Sequence, residues 1–535
     1  MMIGDGGDGY QFASFQYLAK KLFFEGKFPF GWTNFWRYPY GINFQNSYDS
    51  SLLIIFGIFL YTLTSNPILV YNLSIFFLIF LALVLAYSSY AEFFDPLISV
   101  IGAIIYGLSF FSIARLGGHP NIFFITSILF FYTSLYRIYR TKGSTSSFIY
   151  FSAAALLVPF SSMQFPLLLV GSFPFIFLLL VIFYKKELFE LSKIIWQKKV
   201  KFFAFILIAF FVFLLFHANK LIGLFSDPQT YLPEYKIISV PAINFVVPNS
   251  YLKSLSSIFA NSSTQSIENV LFLGYGEMIL FVFALTTLKK SRTKTFLIIA
   301  FSVFLVIALG KQNFLTRIWP YQYLFNIFPY RGITEPGRFV IFVYLAMAGL
   351  ILKYLNQIKD KKTLFLILFV LVLERMPVGF YLSPSLYEKK FISILKNSES
   401  KAIINLPSDL PGWNDQYYDI YSVYSDKPMV NGYIQWSGDN AKSRKLLSQL
   451  NEYRCYHYPA FYQEGDDLGL ARQKKDFLLK TMINYDIKTM VVYKDFLASD
   501  NCRRASFFVS VLLEDTKRFQ KVFDDGDKEV LSLRY

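Results

Sequence analysis

The sequence predicts a polytopic α-helical membrane protein with an α/β domain at its C-terminal end. Of the 535 residues, 54% are hydrophobic and only 16% are charged, and the mean hydropathy is +0.41, which is too apolar for an ordinary soluble protein. Apolar runs recur as far as about residue 380, after which charged residues become frequent and short β-like runs alternate with amphipathic ones. The net charge of +16 arises from short basic clusters between apolar runs, a pattern that does not indicate nucleic-acid binding.

About ten apolar runs are long enough to cross a bilayer. They lie at residues 67–90, 96–113, 120–138, 147–160, 164–184, 200–218, 271–288, 294–309, 336–352 and 363–380. A further run from Leu52 to Leu63 is only roughly a dozen residues long, which predicts a re-entrant or interfacial helix. The chain is thereby divided into a first loop at 1–66, a membrane core at 67–380 with long loops at 219–270 and 310–336, and a soluble domain at 381–535.

Four basic clusters predict which loops face the cytoplasm. They lie at 137–142, 185–201, 289–294 and 353–362. Two apolar runs separate each cluster from the next, so all four share one side, which an excess of Lys and Arg marks as cytoplasmic. Counting from them places the first loop, the turn at Arg115–Pro120, both long loops and the C-terminal domain outside the plasma membrane. An N-terminal loop on that side needs a preceding span or a signal sequence. We expect one further apolar helix upstream of Met1, and the alternative is that a short N-terminus is translocated unaided.

The polar C-terminal part predicts a small sheet with helices. Candidate strands are Ala402–Leu406, Met429–Tyr433, Lys488–Tyr493 and a hairpin of Phe519–Phe523 with Glu529–Leu533, and helices are expected near 441–452 and 471–484. The only two cysteines, Cys455 and Cys502, fall in this part and either pair in an oxidising compartment or remain free thiols. With only three histidines, all far apart, the composition argues against structural zinc and thiol catalysis.

The string Gly4-Asp5-Gly6-Gly7-Asp8-Gly9 allows four interpretations. A dinucleotide fingerprint needs a strand before the glycines, and a calcium loop needs a glutamate where Gln16 stands, so neither fits. Asp8 could cap a helix predicted over Tyr10–Phe24. Alternatively, an outer-surface carboxylate could take the proton of an acceptor when the donor is a polyprenyl-phosphate sugar, whose phosphate is already a good leaving group.

The first loop carries three short motifs, Asp8-Gly9-Tyr10, Phe28-Pro29-Phe30 and Tyr38-Pro39-Tyr40-Gly41. Together they resemble the first extracytoplasmic loop of the GT-C superfamily, the membrane glycosyltransferases that use lipid-phosphate sugars and include oligosaccharyltransferases and protein mannosyltransferases. In that superfamily the loop carries the catalytic aspartate. The resemblance therefore implies this role for Asp8 first and for Asp5 second.

The resemblance extends to two further outer segments. The stretch Tyr330–Phe339 is similar to a segment in which arginine meets the lipid phosphate, which implies Arg331 or Arg338 here. The second outer loop of the superfamily carries another acidic motif, whereas this chain has Gly118-His119-Pro120-Asn121. Because no Asp pair stands there, no metal ligand and no certain cofactor are assigned, and a requirement for a divalent metal is left open.

We therefore predict an integral-membrane glycosyltransferase that moves a sugar from a polyprenyl-phosphate donor to a cell-envelope glycan, lipid or protein acceptor. Asp8 is the predicted base, and the predicted substrate-binding residues are His119, Arg115, Arg331, Arg338 and Glu268. The arginines could instead anchor helix ends at the interface, and Glu268 could simply begin a helix. A transporter or flippase would place charges inside spans, and a non-catalytic scaffold would need no convergent acid and arginines, so both are kept as alternatives.

Overall fold

The computed structural model describes most of the 535 residues. The described residues are 1–4, 7–46, 49–226, 241–248, 252, 270–310, 333, 335–376, 382–408, 416–431, 441–455, 468–514 and 517–534. Within them, the helices before the C-terminal part are α1 (Gly7–Phe24), α2 (Ser51–Leu60), α3 (Pro67–Tyr90), α4 (Pro96–Gly107), α5 (Phe110–Arg115), α6 (Thr126–Arg140), α7 (Thr145–Ser161), α8 (Gln164–Gln197), α9 (Lys199–Ser226), α10 (Tyr275–Thr287), α11 (Arg292–Leu309), α12 (Val340–Leu355) and α13 (Lys361–Arg375). The chain up to Arg375 is thus mainly helical, as the apolar runs predict.

Six segments of the described chain are long and apolar enough to cross a membrane, judged by length and composition. They are Pro67–Tyr90, Pro120–Arg140, Gln164–Gln197, Lys199–Asn219, Arg292–Leu309 and Pro336–Leu355. Shorter apolar helices occupy Ser51–Leu60, Pro96–Gly107, Thr145–Ser161 and Tyr275–Thr287. The six segments coincide with six of the predicted runs, and the remaining predicted spans stay predictions.

The predicted run at 96–113 forms two helices rather than one. α4 ends at Gly107, and Leu108 leaves the helical conformation with φ −112° and ψ 38°. Ser109 then begins α5, because its hydroxyl accepts a hydrogen bond from the Ser112 N–H, the usual role of a serine at a helix start. Apolar composition alone does not reveal this break.

α12 lies at the centre of the helix bundle and α9 at its edge. Neighbouring parts of the chain bury 78% of the Pro336–Leu355 span but only 11% of the Lys199–Asn219 span. α12 packs against α4, α10 and α11, and apolar side chains of these helices form the largest core cluster. The edge position of α9 leaves most of its apolar side chains for lipid.

The described strands are β1 (Met2–Ile3), β2 (Trp32–Thr33), β3 (Ile42–Asn43), β4 (Leu382–Ser383), β5 (Ile403–Leu406), β6 (Thr489–Tyr493), β7 (Phe519–Asp524) and β8 (Lys528–Leu533). The last four form one sheet in the order β5-β6-β8-β7, in which β5 and β6 run parallel and the other pairs antiparallel. The prediction of a C-terminal sheet domain is thus confirmed. The helices with it are α14 (Lys389–Asn397), α15 (Gln416–Ser425), α16 (Ala441–Gln449), α17 (Leu468–Asn484), α18 (Lys494–Leu497) and α19 (Arg503–Leu513).

The sheet domain corrects one sequence prediction and decides between two alternatives for another. The strand predicted at Met429–Tyr433 is wrong over its described residues, because Met429 makes only isolated bridges, to Trp36 and to Ile403. Met429 therefore ties the first loop to the sheet instead of extending it. Of the two alternatives for the cysteines, the structure has the paired one, a disulfide between Cys455 and Cys502.

α1 joins the N-terminal segment to the sheet domain. β1 pairs with β4, and the Tyr10 hydroxyl donates to the Pro384 carbonyl at 2.5 Å. The Tyr10 ring lies 5.4 Å from the ring of Tyr417 on α15, and α15 packs along α1. Further along α1, Tyr17 and Lys21 both bind Asp426. Because Asp8 lies in the first turn of α1, the sheet domain contacts the helix that carries this residue.

Candidate active site

Asp8 and His119 are in direct contact. His119 Nδ1 lies 2.7 Å from Asp8 Oδ2, and the two side chains are 30% and 12% exposed, respectively. An ionised carboxylate can only accept hydrogen bonds, so Nδ1–H is the donor to the ionised form. α1 begins at Gly7, which places Asp8 inside the first turn rather than at the N-cap. The N-cap interpretation of Asp8 therefore does not fit the structure, although the first turn still favours a negative charge.

Two glycines allow the N-terminal segment to pack closely around this contact. Gly4 has φ +110°, a conformation that L side chains rarely adopt, and a Cβ there would lie 3.2 Å from the Leu116 carbonyl oxygen. Gly9 lies against Met2 and Tyr71, and its Cβ would be 2.7 Å from the Met2 Cε. The backbone thus approaches the second loop and α3 more closely than a larger residue permits.

The turn that carries His119 is held by the carbonyl of Arg115. The His119 N–H donates to this oxygen at 2.8 Å and the Gly118 N–H at 3.3 Å, so the end of α5 sets the direction of the turn. The Arg115 guanidinium is fully buried, 4.5 Å from the centre of the Phe111 ring. The structure therefore places the main chain of Arg115 beside His119 and its cation in the interior.

The sequence analysis missed Asp49, which connects the first loop to the loop of His119. We call Asp8, His119, Asp49 and the hydrogen-bond partners of these residues the Asp8 assembly. Its carboxylate is 4% exposed and accepts hydrogen bonds from Asn121 Nδ2, from Ser162 Oγ at 3.0 Å and from the Met163 N–H at 3.0 Å. Asn121 is two residues after His119, so Asp49 ties the first loop to the loop that carries His119. Ser162 and Met163 immediately precede α8, so the same carboxylate also fixes the start of that helix.

Arg338 reaches this assembly through Gln164, the first residue of α8. Its Nη1 binds the Gln164 Oε1 and lies 3.0 Å from Glu335 Oε2. The side chain is 10% exposed, which differs from a cation that extends to the membrane interface, the alternative considered for this residue. A chain of consecutive contacts therefore links the start of the predicted run at 336–352 to the loop of His119, through Arg338, Gln164, Met163, Asp49 and Asn121.

Three predicted site residues, Asp5, Arg331 and Glu268, lie outside the described residues. Among the described ones, no group of three or more His, Cys, Asp or Glu side chains is placed to share a metal ion. Asp8 and His119 offer two groups of the kind that divalent metals bind, whereas a protein-bound metal usually takes four or more ligands.

A second acid–base contact lies away from this assembly. Glu277, in the first turn of α10, contacts Arg375 at the end of α13, and their side chains are 0% and 3% exposed. Arg375 also donates from Nε to the Leu108 carbonyl at 2.8 Å. The neighbouring Glu374 accepts the N–H groups of Tyr275 and Gly276. The sequence analysis singles out neither Glu277 nor Arg375.

Comparisons with known proteins find similarity at the level of the fold. No family model and no curated protein matches the chain. An oligosaccharyltransferase of Archaeoglobus fulgidus, AglB, solved in complex with an inhibitory peptide and a dolichol-phosphate, aligns with a TM-score of 0.51 and 11% identity over 97% of this chain and 69% of that one. Two structures described as the Archaeoglobus fulgidus oligosaccharyltransferase align less well. One is tethered to an acceptor peptide (TM-score 0.44, 13% identity, 100% and 70% coverage) and one is complexed with Zn and sulfate (TM-score 0.39, 13% identity, 97% and 68% coverage).

The AglB complex with dolichol-phosphate supports the fold assignment. At 11% identity the likeness extends over almost the whole chain, so it concerns the arrangement of helices and C-terminal domain rather than particular side chains. The predicted resemblance to oligosaccharyltransferases is confirmed at the level of the fold.

Proposed function

We propose that this chain is an integral-membrane glycosyltransferase that moves a glycan from a polyprenyl-phosphate carrier to an acceptor outside the cytoplasm. The observation that carries the proposal is the Asp8–His119 contact, a partly exposed acid–base pair formed where two predicted outer loops meet. The oligosaccharyltransferase of similar fold was solved with a dolichol-phosphate and an inhibitory peptide. We extend both ligand classes to this chain as part of the proposal.

Asp8 takes the role of general base in the proposed reaction. The acceptor heteroatom attacks the anomeric carbon of the donor sugar, the bond from that carbon to the phosphate oxygen breaks, and the acceptor proton passes to the Asp8 carboxylate. His119 donates to Oδ2 and so fixes the orientation of the carboxylate. Oδ1 of Asp8 is then the oxygen that faces the acceptor.

Arg338 takes the role of stabilising the departing lipid phosphate. A planar guanidinium matches phosphate oxygens in a bidentate manner, and the contacts with Glu335 and Gln164 hold it in one orientation. Arg331 is a second candidate for this role. We assign Glu268 and the sheet domain, which contacts α1, to acceptor binding.

The proposal includes about ten spans, the domain boundaries at 66/67 and 380/381, and a C-terminal domain outside the plasma membrane. The disulfide between Cys455 and Cys502 supports that side, because disulfides persist in oxidising compartments and are rare in the cytosol. The transporter alternative would require intramembrane charges that a solute can reach. The Glu277–Arg375 pair does not suit that role, because both side chains are almost completely buried.

The test is glycan transfer by the purified full chain and its Asp8→Asn variant. Release of polyprenyl phosphate from labelled polyprenyl-phosphate sugars is measured with a panel of peptide and glycan acceptors. We expect Asp8→Asn to lose roughly a hundredfold or more in turnover, the usual scale for a positioned base, with an unchanged thermal midpoint. Asp360→Asn is the matched control, since Asp360 accepts hydrogen bonds at the start of α13 on the predicted cytoplasmic side. Wild-type turnover in Asp8→Asn would contradict the proposed base.

A further inference from the structure

α8 is much longer than a membrane span requires. Its 34 residues form two helical parts that together correspond to about 51 Å of helix, whereas the hydrocarbon core of a bilayer is about 30 Å thick. The helix bends at Tyr184, where φ is −136° and ψ is 33°. The part after this bend follows the predicted apolar run at 164–184, which by itself has about the length that a span requires. We therefore infer that residues after the bend lie at the level of the lipid headgroups. We call residues 185–201, which include the start of α9, the basic extension.

The basic extension exposes aromatic and cationic side chains on one stripe. Lys186, Phe189, Lys193 and Trp196 follow each other at helical spacings of three or four, so they share a face. Phe189 is 70% exposed and Trp196 is 71% exposed. On the other face, Ile194 and its apolar neighbours pack against α6 and α7, so the orientation of the stripe is fixed.

The basic extension carries six lysines and two acids. Its lysines are Lys185, Lys186, Lys193, Lys198, Lys199 and Lys201, all exposed, and within the part of the chain that the structure describes none of them forms an ion pair. Its two acids are already engaged by cations from other segments, since Glu187 pairs with Arg292 and Glu190 lies 3.4 Å from Lys142. The Lys199 Nζ lies 4.7 Å from the centre of the Trp196 ring. The surface therefore presents a net positive field next to exposed aromatic rings.

We propose that the basic extension is a binding surface for anionic phospholipid headgroups. Aromatic side chains favour the membrane interface, and lysines near an anionic leaflet are attracted to its phosphates. Both are present here in alternation, on a helix that continues from a span. Lipid is favoured over a soluble acidic partner because the stripe cannot lie far from the headgroups. The contact fixes the depth and rotation of α8, independently of any glycosyltransferase activity.

The proposal is tested on the full chain in nanodiscs of defined composition. Because both native cysteines are in the disulfide, a Gln197→Cys variant supplies a single reactive thiol for an environment-sensitive fluorophore. We expect the emission to shift to the blue as phosphatidylglycerol replaces neutral lipid up to roughly 30%. The shift should decrease in about 1 M salt, where the Debye length is about 3 Å. Emission that does not respond to phosphatidylglycerol would overturn the proposal.

Two triple variants distinguish an effect of the lysines on the basic extension from an effect of the net charge of the protein. Lys186→Gln, Lys193→Gln and Lys199→Gln together should abolish the phosphatidylglycerol-dependent shift. The control is the same loss of three charges at exposed lysines of the sheet domain, namely Lys442→Gln, Lys445→Gln and Lys480→Gln, which should leave the shift intact. An equal loss in both triple variants, or a shift caused by a soluble acidic peptide but not by phosphatidylglycerol, would contradict lipid binding by this surface.

Discussion

The Asp8–His119 contact and the Glu277–Arg375 contact each join an acid in the first turn of a helix to a basic side chain from a distant segment. Their surroundings differ. The side chains of Asp8 and His119 are 12% and 30% exposed, whereas those of Glu277 and Arg375 are 0% and 3% exposed. A group that exchanges protons with a substrate has to be reachable. The similar pairing therefore supports chemistry in the first case and only structure in the second.

The surrounding contacts reinforce this difference. Arg375 and Glu374 connect the end of α13 to the start of α10 and to the carbonyl of Leu108 after α4, so they hold three helices together. The Asp8 assembly instead connects loops and helix starts, through His119 and through Asp49. Glu277 and Arg375 therefore hold helix ends together, whereas Asp8 and His119 bring an acid and a base together where two predicted outer loops meet.

The largest expected effect is a loss of stability when the buried Glu277–Arg375 pair is broken. Glu277→Gln keeps the shape of the side chain but leaves the buried Arg375 cation without its counter-charge, which typically costs about 3–5 kcal/mol. We expect a clearly lower thermal midpoint of the purified full chain, with transfer activity per folded molecule unchanged. The measurement is thermal unfolding in nanodiscs together with turnover below the transition.

A double variant provides the control for this prediction. Arg375→Met removes the cation as well, so Glu277→Gln with Arg375→Met should recover a substantial part of the lost stability. If the double variant is no more stable than Glu277→Gln alone, uncompensated charge is not the cause. If turnover falls while the midpoint stays, the division between a structural and a chemical pair is wrong.

The sequence predicts the parts of this comparison that depend on local pattern. Composition and apolar run length predict the membrane core, and alternation with a polar turn predicts the hairpin of β7 and β8. Asp8 is found because its glycine-rich string is unusual in itself. Asp49 stands before an apolar run and in the sequence resembles an ordinary helix cap, although the structure gives that role to Ser50. The hydrogen-bond partners of Asp49 include Asn121 and Ser162, which are 72 and 113 residues away in the sequence. Pairing over such distances is decided by packing, which leaves no local pattern.

A substitution of Asp49 tests whether the burial of an acid or its contact with the loop of His119 decides if its loss lowers turnover. It is buried like Glu277, yet it holds the loop of His119. Asp49→Asn replaces an acceptor-only group by one whose NH₂ meets donors from Asn121, Ser162 or Met163. Hydrogen bonds to charged groups contribute about 1.5–3 kcal/mol, so we expect a smaller loss of stability than in Glu277→Gln. Unlike that variant, it should also lower turnover.

The two readouts for Asp49→Asn are the thermal midpoint and turnover at saturating donor. Asp360→Asn again serves as the control, because an asparagine caps a helix nearly as well as an aspartate. A stable Asp49→Asn protein with wild-type turnover would show that the link between Asp49 and the loop of His119 has no catalytic consequence.

A substitution of Arg338 tests whether a cation linked to the Asp8 assembly affects turnover or only stability. Arg338→Lys keeps the charge but loses the planar geometry that binds Glu335, Gln164 and, in the proposed reaction, a phosphate. We expect turnover to fall about tenfold, equivalent to about 1.4 kcal/mol of transition-state stabilisation, with little change in thermal midpoint. Arg137→Lys, at the predicted cytoplasmic pair with Glu92, is the matched control. Equal turnover in the two variants would favour a purely structural Arg338.

The smallest effect is expected where α1 meets the sheet domain. Asp426 accepts hydrogen bonds from Tyr17 at 2.8 Å and Lys21 at 2.5 Å, but its side chain is 51% exposed, and exposed pairs contribute at most about 1 kcal/mol. Partial burial alone would raise the pKa of Asp426, but the hydrogen bonds from Lys21 and Tyr17 outweigh burial and lower it. Asp426→Asn is the suitable change, because asparagine also tolerates the φ of +53° at this position.

The lowered pKa of Asp426 gives this last prediction a pH dependence with a definite sign. The folded protein binds the Asp426 proton more weakly than the unfolded chain, in which the pKa of aspartate is about 3.9. The contribution of Asp426 to the free energy of unfolding is therefore fully present above that pH and is lost as the pH falls through the lower folded-state pKa. Wild type and Asp426→Asn should differ slightly at neutral pH and converge in acid. Glu25→Gln, which breaks the exposed pair with Lys27 on the same side of the molecule, should show still less difference. A difference that grows in acid would mean that Asp426 is destabilised by its surroundings, and that α1 is held to the sheet domain by its aromatic contacts rather than by this charge.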